Sequence, residues 1–71
     1  MHRFLVVIEE TEFNFSAYSP DLPGCVATGK NREETELNMY EAIRFHLQGL
    51  REDNMAIPRN SSYAEIMAIA A

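Results

Sequence analysis

Apolar and polar residues alternate twice near the start of the chain. Between Phe4 and Glu9 a run rich in β-branched residues puts Phe4, Val6 and Ile8 on one face and Leu5 and Val7 on the other, which predicts a strand with apolar groups on both sides. Such a strand belongs in the middle of a sheet. Glu9-Glu10-Thr11-Glu12 is polar and reads as a turn. Phe13 to Ser19 alternates again, with Phe13, Phe15 and Ala17 opposite Asn14, Ser16 and Tyr18, so the two runs predict a hairpin.

Pro20-Asp21-Leu22-Pro23-Gly24 is the densest turn signal in the chain. Pro23 presets φ at the first central position and Gly24 supplies positive φ at the second, the pair a type II turn requires. Cys25 to Gly29 reads as a short third strand. The period then changes from two to 3.6. Asn31 is a candidate N-cap with Glu34 three residues on, close to a capping box. Glu33, Glu34 and Glu36 sit where the helix dipole favours negative charge. The helix runs from about Arg32 to about Asp53, with Met39, Tyr40, Ile43, Leu47 and Leu50 on one stripe that faces the sheet. Asn54 tolerates the left-handed conformation that ends a helix.

Beyond the helix, Met55-Ala56-Ile57-Pro58 reads as extended and Asn60-Ser61-Ser62 as polar. Tyr63 to Ile69 forms a last strand, with Tyr63, Glu65, Met67 and Ile69 on one face and Ala64, Ile66 and Ala68 on the other. Both faces are largely apolar, and an edge strand of that kind invites pairing. The element order strand, strand, strand, helix, strand predicts an α+β architecture with one helix on one face of the sheet. No linker, repeat or low-complexity tract divides the chain, so residues 1–71 read as one domain.

Length and charge narrow the function. A 71-residue chain buries only a modest core and commonly draws further stability from oligomerisation or a partner. Its apolar fraction of 46% is that of a folded protein, not a disordered segment. No run is apolar enough to span a bilayer, and the start lacks the apolar stretch of a signal peptide, so a cytoplasmic location is expected. The single cysteine, Cys25, agrees with a reducing compartment. With a net charge of −5 and six scattered Lys and Arg residues, direct binding to nucleic acid is disfavoured and a basic protein partner is favoured.

The candidate site residues divide by role. Pro20, Asp21, Leu22, Pro23, Gly24 and Cys25 form a structural turn motif, with Asp21 an acceptor for nearby backbone amides and Cys25 a small buried apolar group. His46 lies at the border of the helix stripe and reads as a core-edge histidine. Glu9, Glu41 and Glu65 are the nearest approach to a metal-binding carboxylate set, but their positions do not predict convergence. No cofactor or metal is expected, and no catalytic residue. Leu37 and Phe45 lie off the sheet-facing stripe, in a row with Glu41 between them. Together with Tyr63, Met67 and Ile69 of the last strand they are candidates for contact with a partner or a second copy.

The stretch Ala17-Tyr18-Ser19-Pro20-Asp21-Leu22-Pro23-Gly24-Cys25-Val26 resembles the HicB antitoxin family, whose members carry an aromatic residue followed by Pro-Asp-Leu-Pro-Gly-Cys. The likeness continues through Glu33-Glu34, Asn38, Glu41-Ala42-Ile43, His46 and Gly49-Leu50 to Ile57-Pro58. The chain departs from the family pattern at Glu36, where an apolar residue is usual, and at Asn54, where glycine is common. The resemblance implies a partial ribonuclease H-like fold, with three antiparallel strands, a helix, and a fourth strand parallel to the first. It further implies a non-enzymatic antitoxin that blocks a HicA-like toxin, a small basic ribonuclease acting on messenger RNA. A homodimer or larger homo-oligomer is expected. Many members add a C-terminal DNA-binding domain; none is read in this sequence, so DNA binding and autoregulation are not expected. Two other readings stay open: an oligomeric regulator of this fold with no toxin partner, and a divergent metal-dependent nuclease.

Overall fold

In the computed structural model, which describes all residues from Met1 to Ala71, the alternating first third of the chain forms a three-stranded antiparallel sheet. Strand β1 spans Val7–Glu10, β2 Phe15–Tyr18 and β3 Val26–Gly29, in the spatial order β1-β2-β3. Val7 lies opposite Tyr18 and Glu10 opposite Phe15, while Phe15 lies opposite Gly29 and Tyr18 opposite Val26. The helix α1, Arg32–Glu52, follows β3 directly.

Local chemistry explains each junction. The hydroxyl of Thr11 accepts from the Asn14 N–H at 3.0 Å and donates to Asn14 Oδ1 at 2.7 Å, while the Thr11 N–H donates to the Asn14 carbonyl at 2.7 Å. This closed turn lies two residues later than the Glu9–Glu12 turn read from sequence. It draws Glu10 into β1 and leaves Phe13, read as sharing a strand face with Phe15 and Ala17, outside β2 and 89% exposed. The Cys25 N–H donates to the Leu22 carbonyl at 3.0 Å, and Gly24 has φ of 81°. That is the geometry of a type II turn through Pro23-Gly24.

Asn31 Oδ1 accepts from the Glu34 N–H at 2.8 Å and caps the helix. The Glu34 carboxylate accepts in return from the N–H of Lys30, one residue before the cap, at 3.3 Å. At the other end Asn54 adopts φ of 55°. Its N–H donates to the Arg51 carbonyl at 3.1 Å and that of Met55 to the Leu50 carbonyl at 2.8 Å, a Schellman closure.

Sheet and helix enclose a small core of Ala17, Leu22, Cys25 and Met39, flanked by Phe4, Val6, Ile8, Ala27, Ala42, Ile43 and Leu47. Leu22 is fully buried, so the turn motif contributes to the core as well as reversing the chain. Thr35 is fully buried as well; its hydroxyl donates to the Asn31 carbonyl at 2.7 Å. Tyr40, read as part of the sheet-facing stripe, is 60% exposed. It lies at the border of the stripe, over a groove that nothing fills.

Two expectations are not met within the single chain. β1 is an edge strand, not a central one. The segment from Tyr63 to Ile69 is extended but forms no ladder: the chain from Met55 onward contains no strand, turn or bend. The cause is common to both, because no segment of the chain lies along the outer edge of β1. The molecule is accordingly elongated, 49 Å in its longest dimension. A helix of 21 residues accounts for about 32 Å at 1.5 Å per residue.

Candidate functional site

Three surfaces are left uncovered by this architecture. The first is the outer face of α1. Leu37 and Phe45 are two turns apart on the helix and are 61% and 79% exposed. Glu41 lies between them and approaches Arg44 at 3.9 Å. Phe45 borders two shallow depressions. One is lined by Glu41, Arg44, Leu47, Gln48 and Arg51, the other by Cys25, Val26, Ala42, His46 and Gly49 among others. An apolar ring ringed by charged and polar groups is the composition of a protein-contact patch. His46 is half-buried in the second depression, beside Cys25. Burial pushes the Cys25 thiol up from its ordinary value, so at neutral pH it is a protonated, unreactive group.

The second surface is an open groove of ≈ 850 Å³ between the N-terminal segment and α1. Phe4, Val6 and Ile8 form one wall and Met39, Tyr40, Ile43 and Leu47 the other, with Arg3, Arg32, Arg44 and Arg51 at the rim. Arg32 is held by Glu36 at 3.0 Å. The Glu36 position, at which the chain departs from the family pattern, is therefore occupied by a surface ion pair, which exposure and screening keep weak.

The third surface is the C-terminal segment. Tyr63, Ile66, Met67 and Ile69 are all at least three-quarters exposed, Ile66 completely so. The segment departs from a fixed point. Asp21 accepts four hydrogen bonds from residues forty positions away: the N–H and hydroxyl of Ser61 at 3.1 and 2.9 Å, and those of Ser62 at 3.1 and 3.2 Å. Asn60 Oδ1 accepts from the Leu5 N–H at 3.4 Å, alongside the approach to β1. Desolvation works to raise the Asp21 carboxyl, and the serine hydrogen bonds outweigh it, holding the group below its ordinary value. The Asp21 partners expected nearby in sequence are instead a serine pair beyond the helix, and no local signal connects the two.

Glu9, Glu41 and Glu65 lie on β1, α1 and the C-terminal segment respectively. No three His, Cys, Asp or Glu side chains come together in a way that would hold a metal ion. No helix is long and apolar enough to cross a membrane.

These features define a small α+β protein whose most conspicuous surfaces are apolar and uncovered. The chain belongs to the HicB-like antitoxin family of bacterial toxin–antitoxin systems, whose profile it matches over residues 4–70. It is 42% identical over 62 residues to a UPF0150 protein of Helicobacter pylori and 34% identical over 61 residues to one of Thermoplasma acidophilum. Each match covers 84% of this chain, with 86% and 88% of the respective relatives. It is also 36% identical over 56 residues to an uncharacterised protein from the rep–hol intergenic region of Haemophilus phage HP1. That match takes in 79% of this chain but only 42% of the phage protein, so the chain spans less than half the length of that relative. No solved structure matches. Membership in an antitoxin family points to a non-enzymatic role and to a toxin as partner.

Proposed function

We propose that this protein neutralises a small basic HicA-like ribonuclease by binding it and covering its active site. The family match over residues 4–70 carries the reading. Two physical features support it. A net charge of −5 speeds encounter with a basic protein and works against competing contacts with nucleic acid. The Leu37–Phe45 row supplies an aromatic anchor between shallow depressions, the kind of group that dominates binding energy when desolvated. The mechanism is steric and electrostatic occlusion within the cytoplasm, with the chain acting as one unit and without a cofactor.

We also infer that the protein self-associates as a homodimer or larger assembly. The fourth strand implied by the family resemblance, parallel to β1, forms from Tyr63–Ile69 on assembly and completes the partial ribonuclease H-like sheet. Its apolar residues gain a covered environment there, at about 1.5–3 kcal/mol for each large side chain buried.

Co-expression with a small basic toxin encoded beside this reading frame tests the assignment. Native protein restores growth and co-purifies with the toxin, whereas Phe45→Glu loses both while keeping its circular dichroism spectrum. Restored growth with Phe45→Glu would remove the helix face from the interface. Failure of the native chain to rescue growth or to bind would leave an oligomeric regulator without a toxin.

A further inference from the structure

We propose that the C-terminal segment of each copy crosses to a second copy, where it adds to the free edge of β1 and seats Ile66 in the groove between β1 and α1. The inference deepens the self-association reading above and rests on it.

Each chain presents both halves of one contact and leaves both unsatisfied. The groove walled by Phe4, Val6, Ile8, Tyr40, Ile43 and Leu47 has no filler from its own chain. The segment best suited to fill it, apolar on both faces, has Ile66 completely exposed. Ala64–Ala70 is as long as Phe4–Glu10, so a paired strand would run the length of the groove wall. The outer edge of β1 offers its backbone N–H and C=O groups to such a strand.

The take-off geometry selects exchange over folding back. Asp21 clamps Ser61 and Ser62 beside the start of β1, and the chain then continues extended without a turn or bend. Asn60, Ser61 and Ser62 are the turn-forming residues that could direct the segment back, and their hydrogen bonds to Leu5 and Asp21 hold them without a turn or bend, which leaves Ile66 outside its own groove. In a two-fold pair the same contact is made twice, each copy filling the groove of the other, and the arrangement closes with neither groove left empty. The face carrying Ala64, Ile66 and Ala68 has no polar group and turns toward α1. Glu65 then lies on the opposite face of the strand, outside the groove.

Sedimentation equilibrium and isotope-filtered nuclear Overhauser spectroscopy on the full chain test this without any toxin present. A species of twice the 8.1 kDa chain mass is expected. In a dimer mixed from labelled and unlabelled copies, Ile66 methyls should give cross-peaks to Val6, Ile8 and Ile43 methyls across the label boundary. Ile66→Asp should raise the dimer dissociation constant by about 100-fold or more, while Ala70→Asp, at the end of the segment, has a smaller effect. A monomer throughout would overturn self-association and exchange together. A dimer whose Ile66 contacts arise only within one copy, or one joined through Phe45, would overturn exchange and leave self-association standing. Either result is independent of growth rescue, so loss of the toxin reading would not be mistaken for it.

Discussion

Gly29 shows how one side chain governs the joint between sheet and helix. A Cβ built there would lie 2.5 Å from the Thr35 hydroxyl, 2.7 Å from its backbone nitrogen and 3.0 Å from its Cα. Two of those atoms belong to the helix backbone, which cannot rotate away. Gly29 therefore sets how closely β3 and the first turn of α1 approach, and the buried Thr35 hydroxyl turns back onto Asn31 in the space that remains. Gly29→Ala should cost about 1–3 kcal/mol of unfolding free energy by forcing the helix outward. For a chain whose stability by its length is only ~4–11 kcal/mol, that is a large fraction. Urea denaturation measures it, and a midpoint unchanged from the native protein would contradict this account of the joint. Gly24 answers a different need, its φ of 81° being required by the turn, with open space around its Cα.

Among the elements, the turn after β2 and the segment after α1 depend on each other through Asp21. Asp21 is held below its ordinary carboxyl value by the Ser61 and Ser62 hydrogen bonds, against the opposing effect of desolvation. A group depressed in the folded state stabilises it fully above its unfolded-state value, and that contribution is lost as pH falls through the folded-state value. The clamp should thus hold at neutral pH and release only in acid, below the ordinary carboxylate range of about 4. Hydrogen exchange reads it directly: Ser61 and Ser62 amide protection should fall in acid while that of mid-helix amides persists. Asp21→Asn should lower the same protection at neutral pH. Equal protection of both serines in the native and Asp21→Asn proteins would show that the clamp does not anchor the segment. Helix α1 is anchored more locally, by Asn31 at its start and Asn54 at its end.

The molecule as a unit has a core too small for the apolar surface it carries. Four hydrophobic residues are buried, while a groove and an apolar segment stand open on the same chain. If copies share that surface, folding and assembly are one equilibrium. The thermal midpoint should then rise across a roughly hundredfold increase in protein concentration, as expected when association stabilises only the folded form. Calorimetry at several concentrations checks this. A constant midpoint would mean that the three-stranded body is stable unaided and the exposed segment contributes nothing to it.

Much of this protein was legible before its structure. The hairpin, the Pro23-Gly24 turn, the helix limits, the Asn31 cap and the left-handed Asn54 all follow from interactions between residues a few positions apart, so the chain announces them locally. The shared face of Phe4, Val6 and Ile8 also follows from its two-residue period, but Leu5 and Val7 opposite are apolar too, so which face meets the core does not. The resemblance carried by Pro20 to Cys25 likewise announced the antitoxin family. Other features are not written in the hydropathy pattern. The Thr11–Asn14 turn displaced Phe13 from its strand through side-chain bonds that hydropathy does not record. The Gly29–Thr35 contact depends on how closely the first turn of the helix approaches the end of β3, while the Asp21 clamp across forty residues, the edge position of β1 and the unpaired state of Tyr63–Ile69 depend on where the chain returns after the helix. Periodicity states which side of a segment is apolar. What covers that side is decided by packing in three dimensions, since the same alternation suits a strand beside its own sheet and one reaching for another.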